Sequence, residues 1–209
     1  MGAMRHAGGG LANQPGQRGQ TVPAGTPRWR KRSRHLAGTL SPGRGFPRHA
    51  HPGGEELLIL DGVFSDEHGD YPTGTYLRNP SGTSQAPFTR EGCTLFVKLC
   101  QFAAGDHSEI GIDITAGAFT PVSPGVSKQA LYRFGDQHTH LTRFAPGATA
   151  EHHVHVGGEE VFVIEGTWQD DRGTYPAGTW VRFPDGSDHT PDSAEGALLF
   201  VKRGHLPPA

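Results

Sequence analysis

A chain of 209 residues is long enough to bury one large core or two small ones. Its 31 glycines and 17 prolines suit short strands and tight turns rather than helices, and no apolar run approaches the length of a bilayer-spanning helix. The two cysteines, Cys93 and Cys100, make neither a CxxC pair nor a disulfide framework, and the N-terminus has no apolar h-region, so a reduced, cytoplasmic protein is predicted.

The net charge of −2 hides an asymmetry: residues 1–54 hold nine Arg and Lys and no acidic residue, while all 21 acidic residues lie beyond them. Residues 1–26, rich in Gly, Gln, Pro and Ala, are predicted to be a disordered basic tail. The run Arg28-Trp29-Arg30-Lys31-Arg32-Ser33-Arg34 invites a nucleic-acid reading. It lacks interleaved aromatics and sits on an acidic body, so a solvated tail is the preferred reading and nucleic acid is not expected as a partner.

From residue 43 onward the chain repeats itself. Sliding it by 104 residues aligns 43–98 with 147–202 without a gap, with 24 identities in 56 positions. Within each copy, Leu57-Leu58-Ile59-Leu60 and Val161-Phe162-Val163-Ile164 are short β-forming runs. Asp66-Glu67-His68-Gly69 and Asp170-Asp171-Arg172-Gly173 are hairpin turns, and Thr75–Arg78, Thr179–Arg182, Thr94–Val97 and Leu198–Val201 are further strands. Glu109–Ile114 alternates and is predicted to open the second half, with a linker loop over 115–128. An antiparallel barrel or jelly roll, formed twice, is the predicted fold: an N-terminal barrel over 27–103 and a C-terminal barrel over 104–209.

His153 and His155 are two apart on a predicted strand and point to one face; Glu159 follows the Gly157-Gly158 turn, and His189 arrives on another strand. Three imidazoles and a carboxylate from neighbouring strands form a preformed divalent metal site. The first copy offers His49, His51 and Glu55 as a possible second site, with Gln85 where the second has His189; a weaker or vacant first site is expected. His138 and His140 lack this context, and 140 aligns with Leu36, so both are predicted at the surface or an interface, as is His152. Glu56 and Glu160 face away from Glu55 and Glu159 and are expected to pair with Arg78 and Arg182. Arg182, Trp180 and Tyr175 recur near the predicted mouth, where they would bind an anionic or aromatic substrate, although barrel packing explains them equally well.

Gly147-x5-His153-x-His155-x3-Glu159-x6-Gly166, followed by Gly178-x5-Pro184-x-Gly186-x2-His189, resembles the two signature motifs of the cupin superfamily. Only the Asn often found four residues after the last His departs, being Ser193. Gly-Gly-Glu-Glu, Gly-Tyr-Pro-x-Gly-Thr and the closing Phe-Val-Lys resemble the ChrR-like cupins more narrowly, over about residues 35–207. That resemblance implies an all-β protein of two tandem cupin jelly-roll barrels with one divalent metal per active barrel, iron or zinc first, then manganese or nickel. The family includes the sensory half of a zinc anti-sigma factor and oxygen-using ketone-cleaving enzymes. By resemblance, the chain is either an Fe(II)-dependent dioxygenase acting on a small oxygenated or aromatic ketone, with no catalytic residue beyond its metal ligands, or a metal-bound sensor of a small ligand. The His-x3-Cys-x2-Cys zinc module of the anti-sigma factors is missing. Because duplication supplies a two-barrel contact internally, a monomer or a homodimer is expected.

Overall fold

The computed structural model describes residues 4–6 and 34–208, and among them there is no helix. The first repeat contains β2 (Arg34–Leu40), β3 (His49–Ala50), β4 (Glu55–Asp66), β5 (Gly69–Pro72), β6 (Thr75–Asn79), β7 (Ser84–Gln85) and β8 (Cys93–Leu99), preceded by β1 (Met4–His6). The second is preceded by β9 (Ile110–Asp113), β10 (Thr120–Ser123) and β11 (Val126–Phe134). It then runs through β12 (Gln137–Phe144), β13 (Ala148–Thr149), β14 (His153–Val154), β15 (Glu159–Asp170) and β16 (Gly173–Pro176). It closes with β17 (Trp180–Phe183), β18 (Asp188–His189), β19 (Asp192–Ser193) and β20 (Ala197–Arg203).

Two curled antiparallel sheets result, in the orders β2-β8-β4-β6-β9 and β1-β17-β15-β20-β12-β11-β10, each with a small two-stranded sheet, β3-β7 or β14-β18, at one end. The apolar runs in β4 and β15 do not alternate because both faces of these strands are covered. Leu57 and Ile59 enter the first barrel's core with Phe64, Leu77 and Leu95, and Val161 and Val163 enter the second with Trp168, Val181 and Leu199. The opposite face of the same strands, Leu58 and Phe162, meets Phe96, Phe200, Tyr76 and Trp180 in a cluster shared by the two barrels. Phe96 stacks on Phe162 with ring centroids 4.3 Å apart, a contact worth roughly 0.5–1.5 kcal/mol beyond its buried area.

Glu56 and Glu160 therefore point into the seam between the barrels, and the expected arginine pairing is present: Arg78 Nε lies 3.0 Å from Glu56, and Arg182 pairs with Glu160. Lysines from the opposite barrel complete both pairs. Lys202 Nζ donates to both oxygens of Glu56, at 2.9 and 3.0 Å, and Lys98 donates to Glu160. Burial pushes the Glu56 carboxyl up, but Lys202, Lys98 and Arg78 outweigh it and hold its pKa at about 2.

β9 leads the second repeat and pairs across with β6 of the first, Thr75 opposite Asp113. Two expectations are corrected. Met4–His6, within the expected disordered tail, form β1 and pair with β17 of the second repeat; the rest of that tail and the basic run as far as Ser33 lie outside the described residues. The expected loop over 115–128 contains the β10–β11 hairpin, with Thr120 opposite Lys128. The swap of β1 and β9 is reciprocal, because each leading strand extends the other repeat's sheet at equivalent strands, β17 and β6.

Candidate metal centre

His153 and His189 sit on two-residue strands, and Glu159 opens the twelve-residue β15. β14 pairs with β18 so that His153 lies opposite His189. A turn through Gly157 and Gly158 at φ +70° and +69° then brings the chain into β15 at Glu159. A Cβ on either glycine would meet Gly204 or Leu206 at under 3 Å, so the turn that sets His155 against Glu159 admits only glycine.

The three imidazoles converge through Nε2. His189 Nε2 lies 3.2 Å from both His153 Nε2 and His155 Nε2, and Glu159 Oε1 is 3.5 Å from His155 Nε2 and 3.9 Å from His189 Nε2. The partners on the far side of each ring assign the protons. His153 Nδ1 donates to the carbonyl of Glu151 at 2.9 Å, and His189 Nδ1 donates to Asp170 Oδ2 at 2.9 Å. His155 Nδ1 meets Ser187 Oγ at 3.0 Å; that hydroxyl donates to the Pro184 carbonyl and therefore accepts from His155. With all three protons on Nδ1, three Nε2 lone pairs and a carboxylate oxygen face one another, and none has a proton to share. A cation resolves that conflict. Two nitrogens each about 2.0–2.1 Å from one ion stand about 3–3.4 Å apart, so the observed spacing fits an N₃O divalent site. Burial, then His189 and His153, lowers His155 to about 3, which keeps this ring neutral and ready to ligate.

Asp170 is the main residue the sequence did not flag. Its Oδ1 accepts from the amides of Arg172 and Gly173 and from the Tyr175 hydroxyl at 3.0 Å, while Oδ2 orients His189. The turn signal hid this second role, although the Asp recurs as Asp66. Trp168 and Phe183 pack edge-on against His189, with centroids 5.4 and 4.6 Å away, and Arg203 Nε holds Glu159 Oε2 at 3.1 Å.

The cluster opens into a cavity of about 230 Å³ lined by Val126, Lys128, His140, Thr142, Trp168, Val201 and Arg203. His140 is thus a correction. It is buried on the inner wall of the second barrel, opposite Val201, while His138 and His152 are exposed as expected. Arg182, Trp180 and Tyr175 do not line this cavity. Trp180 belongs to the seam, where Arg182 lies over its ring, because strand alternation turns both from the barrel interior. Tyr175 is buried in the second core and touches the centre indirectly, through its hydrogen bond to Asp170 and its packing on Trp168. Ser193, which stands where an Asn was expected, is fully buried and ties β19 to Thr167, a structural role.

The first barrel brings His49, His51 and Glu55 together with the same supports: His49 Nδ1 on the Pro47 carbonyl at 3.0 Å and His51 Nδ1 on Thr83 Oγ1 at 2.9 Å. The buried His51 Nε2 is left without a hydrogen bond. Gln85 does not offer its oxygen as a ligand: its amide nitrogen donates to Glu55 Oε2 at 2.9 Å, and its oxygen accepts from Asn79 at 3.3 Å. Asn79 stands where the second copy has Phe183. The cavity beside this set is lined mainly by Leu40, Phe46, Leu57, Phe64, Leu95 and Val97.

Two jelly-roll barrels, one with a three-histidine, one-carboxylate cluster that could hold a divalent metal, define a cupin fold. The chain belongs to the ChrR cupin-like family, whose model matches residues 37–103 and 107–207. A proposed dioxygenase from Nostoc punctiforme superposes with a TM-score of 0.71 at 14% identity, over 84% of this chain and 70% of that one. Bacillus subtilis oxalate decarboxylase, a protein with Mn(II) centres, gives 0.62 at 15% identity over 85% and 70%. Protein Ylba from E. coli gives 0.65 at 15% identity over 85% and 79%. At these identities the likeness is one of fold. No curated protein matches the chain in sequence.

Proposed function

We propose that this chain is a metal-dependent oxygenase working in its second barrel, and that its reaction is oxidative C–C cleavage of a small oxygenated ketone. In that reaction class one C–C bond breaks and both atoms of dioxygen enter the products, so no external reductant is needed. The observation that carries the reading is the set of three unprotonated Nε2 atoms and Glu159 facing a cavity open to solvent. A redox-active divalent ion such as iron(II) held there would supply Lewis acidity and electron transfer to dioxygen.

The chain's own residues supply positioning and an apolar wall. Asp170, Ser187 and the Glu151 carbonyl fix the rings, and Arg203 fixes Glu159. Phe144, Val161, Leu199 and Val201 line the inner wall and give the carbon skeleton of a substrate an apolar surface to pack on. The cavity lies below the roughly 300–1,000 Å³ typical of drug-sized ligands, so the substrate is small. The contact between barrels is internal, and a monomer is the proposed working unit.

Anaerobic reconstitution with Fe(II), then oxygen-uptake assays over β-diketones, hydroxyacetophenones and oxo acids, tests the reading. Substrate-dependent uptake that disappears in His153→Ala supports it. Absent uptake with one tightly held zinc per chain overturns it in favour of a ligand sensor.

A further inference from the structure

The two barrels provide an internal control. The repeats differ at equivalent positions of β2 and β12, which pair in the same register with β8 and β20, and at two positions on neighbouring strands. His140, Thr142, Trp168 and Arg203 in the second repeat stand where the first has Leu36, Gly38, Phe64 and Leu99. At these four positions the cavity of the barrel with the full ligand set carries groups that can hydrogen-bond, where the first repeat has apolar residues or glycine.

Charge on that wall does not cancel. Glu159 faces two cations, Arg203 in contact at 3.1 Å and Lys128 beyond ion-pair distance, and one carboxylate offsets one of them; Asp170 directs its oxygens to His189, Tyr175 and turn amides. Glu151 is exposed at the rim, where solvent screens it. Lys128, half-buried on β11 and lining the same cavity, has no hydrogen bond or ion pair among the described residues. Trp168 Nε1, buried and on the same lining, has no hydrogen-bond partner either. A half-buried ammonium and a buried indole N–H without acceptors carry a desolvation cost that an anionic ligand removes.

We propose that the ligand of the second barrel is a small oxo acid, with its carboxylate held by Lys128 and its carbonyl oxygen directed toward the His153–His155–His189 cluster. The inference rests on the second barrel being the working site, and its test reads binding alone. Calorimetric titration of the zinc-loaded full chain with acetoacetate and with acetylacetone, equal in heavy-atom count but differing in charge, separates the contribution of Lys128 from any direct preference of the ion for carboxylate. Lys128→Met is expected to weaken acetoacetate about tenfold or more and acetylacetone less than about twofold. Lys128→Arg, which keeps the charge, retains the discrimination, and thermal melts of both variants confirm that the fold is intact. Equal weakening of the two ligands by Lys128→Met, or no acetoacetate binding by the unsubstituted chain at millimolar concentration, overturns the proposal. A protein without oxygen uptake that still discriminates through Lys128 keeps this inference while the oxygenase reading falls.

Discussion

At the scale of single residues, the centre depends on protons placed away from it. Asp170 keeps the His189 proton on Nδ1 and so leaves Nε2 free to ligate. Asp170→Asn can still accept from the turn amides through its oxygen, but it presents an NH₂ to His189 and drives that proton to Nε2. Metal affinity is therefore expected to fall about 10–100-fold with the melting temperature little changed, measured by competition with a chromophoric chelator. The first copy has the matching carboxylate, since Asp66 anchors the same turn and receives the Tyr71 hydroxyl at 3.1 Å. What it lacks is an imidazole at position 85 and the apolar floor at position 79. The double substitution Gln85→His with Asn79→Phe should raise bound metal from about one to about two per chain by elemental analysis, because it removes the amides that now occupy Glu55.

At the scale of elements, β4 and β15 each serve two interiors. Up to the bulge after Ile59 and Val163, their odd-numbered residues line a barrel and their even-numbered residues line the seam, which is how adjacent glutamates acquire separate roles; beyond it the parity reverses, and Phe64 and Trp168 enter the barrels. Removing Lys202 takes away the cation bonded to both Glu56 oxygens and leaves the buried carboxylate with Arg78 and the Tyr76 hydroxyl, so Lys202→Met should cost about 3–5 kcal/mol in chemical denaturation. The Glu56 carboxyl, held at about 2 when folded against 4.5 unfolded, contributes stability that is complete above about pH 4.5. That contribution is lost as the pH falls toward 2. Denaturation midpoints taken from pH 5 down to 2.5 should fall, and Glu56→Gln should flatten the fall.

At the scale of the molecule, the seam and the exchanged strands make the two repeats one folding unit. A chain cut after residue 103 leaves Phe96, Tyr76 and Leu58 bare on one half and Phe162, Phe200 and Trp180 on the other. It also divides the two lysine–glutamate pairs and strands β9 away from β6. Neither half expressed alone is expected to give a monodisperse folded species by size exclusion and amide NMR, whereas the intact chain does. By itself, the sequence determined the duplication, the strand-rich barrels, and the order and spacing of His153, His155, Glu159 and His189, because spacing along a strand or turn is a property of neighbouring residues. It also determined the departure at Gln85, because the repeat supplies its own reference. Only the tertiary structure decided that β9 belongs to the first sheet, that Arg182 and Trp180 face the seam, and that His140, Lys128 and Arg203 meet at one cavity. Those outcomes depend on which covered face of a strand turns toward which barrel, and a pattern that is apolar on both faces does not encode that choice.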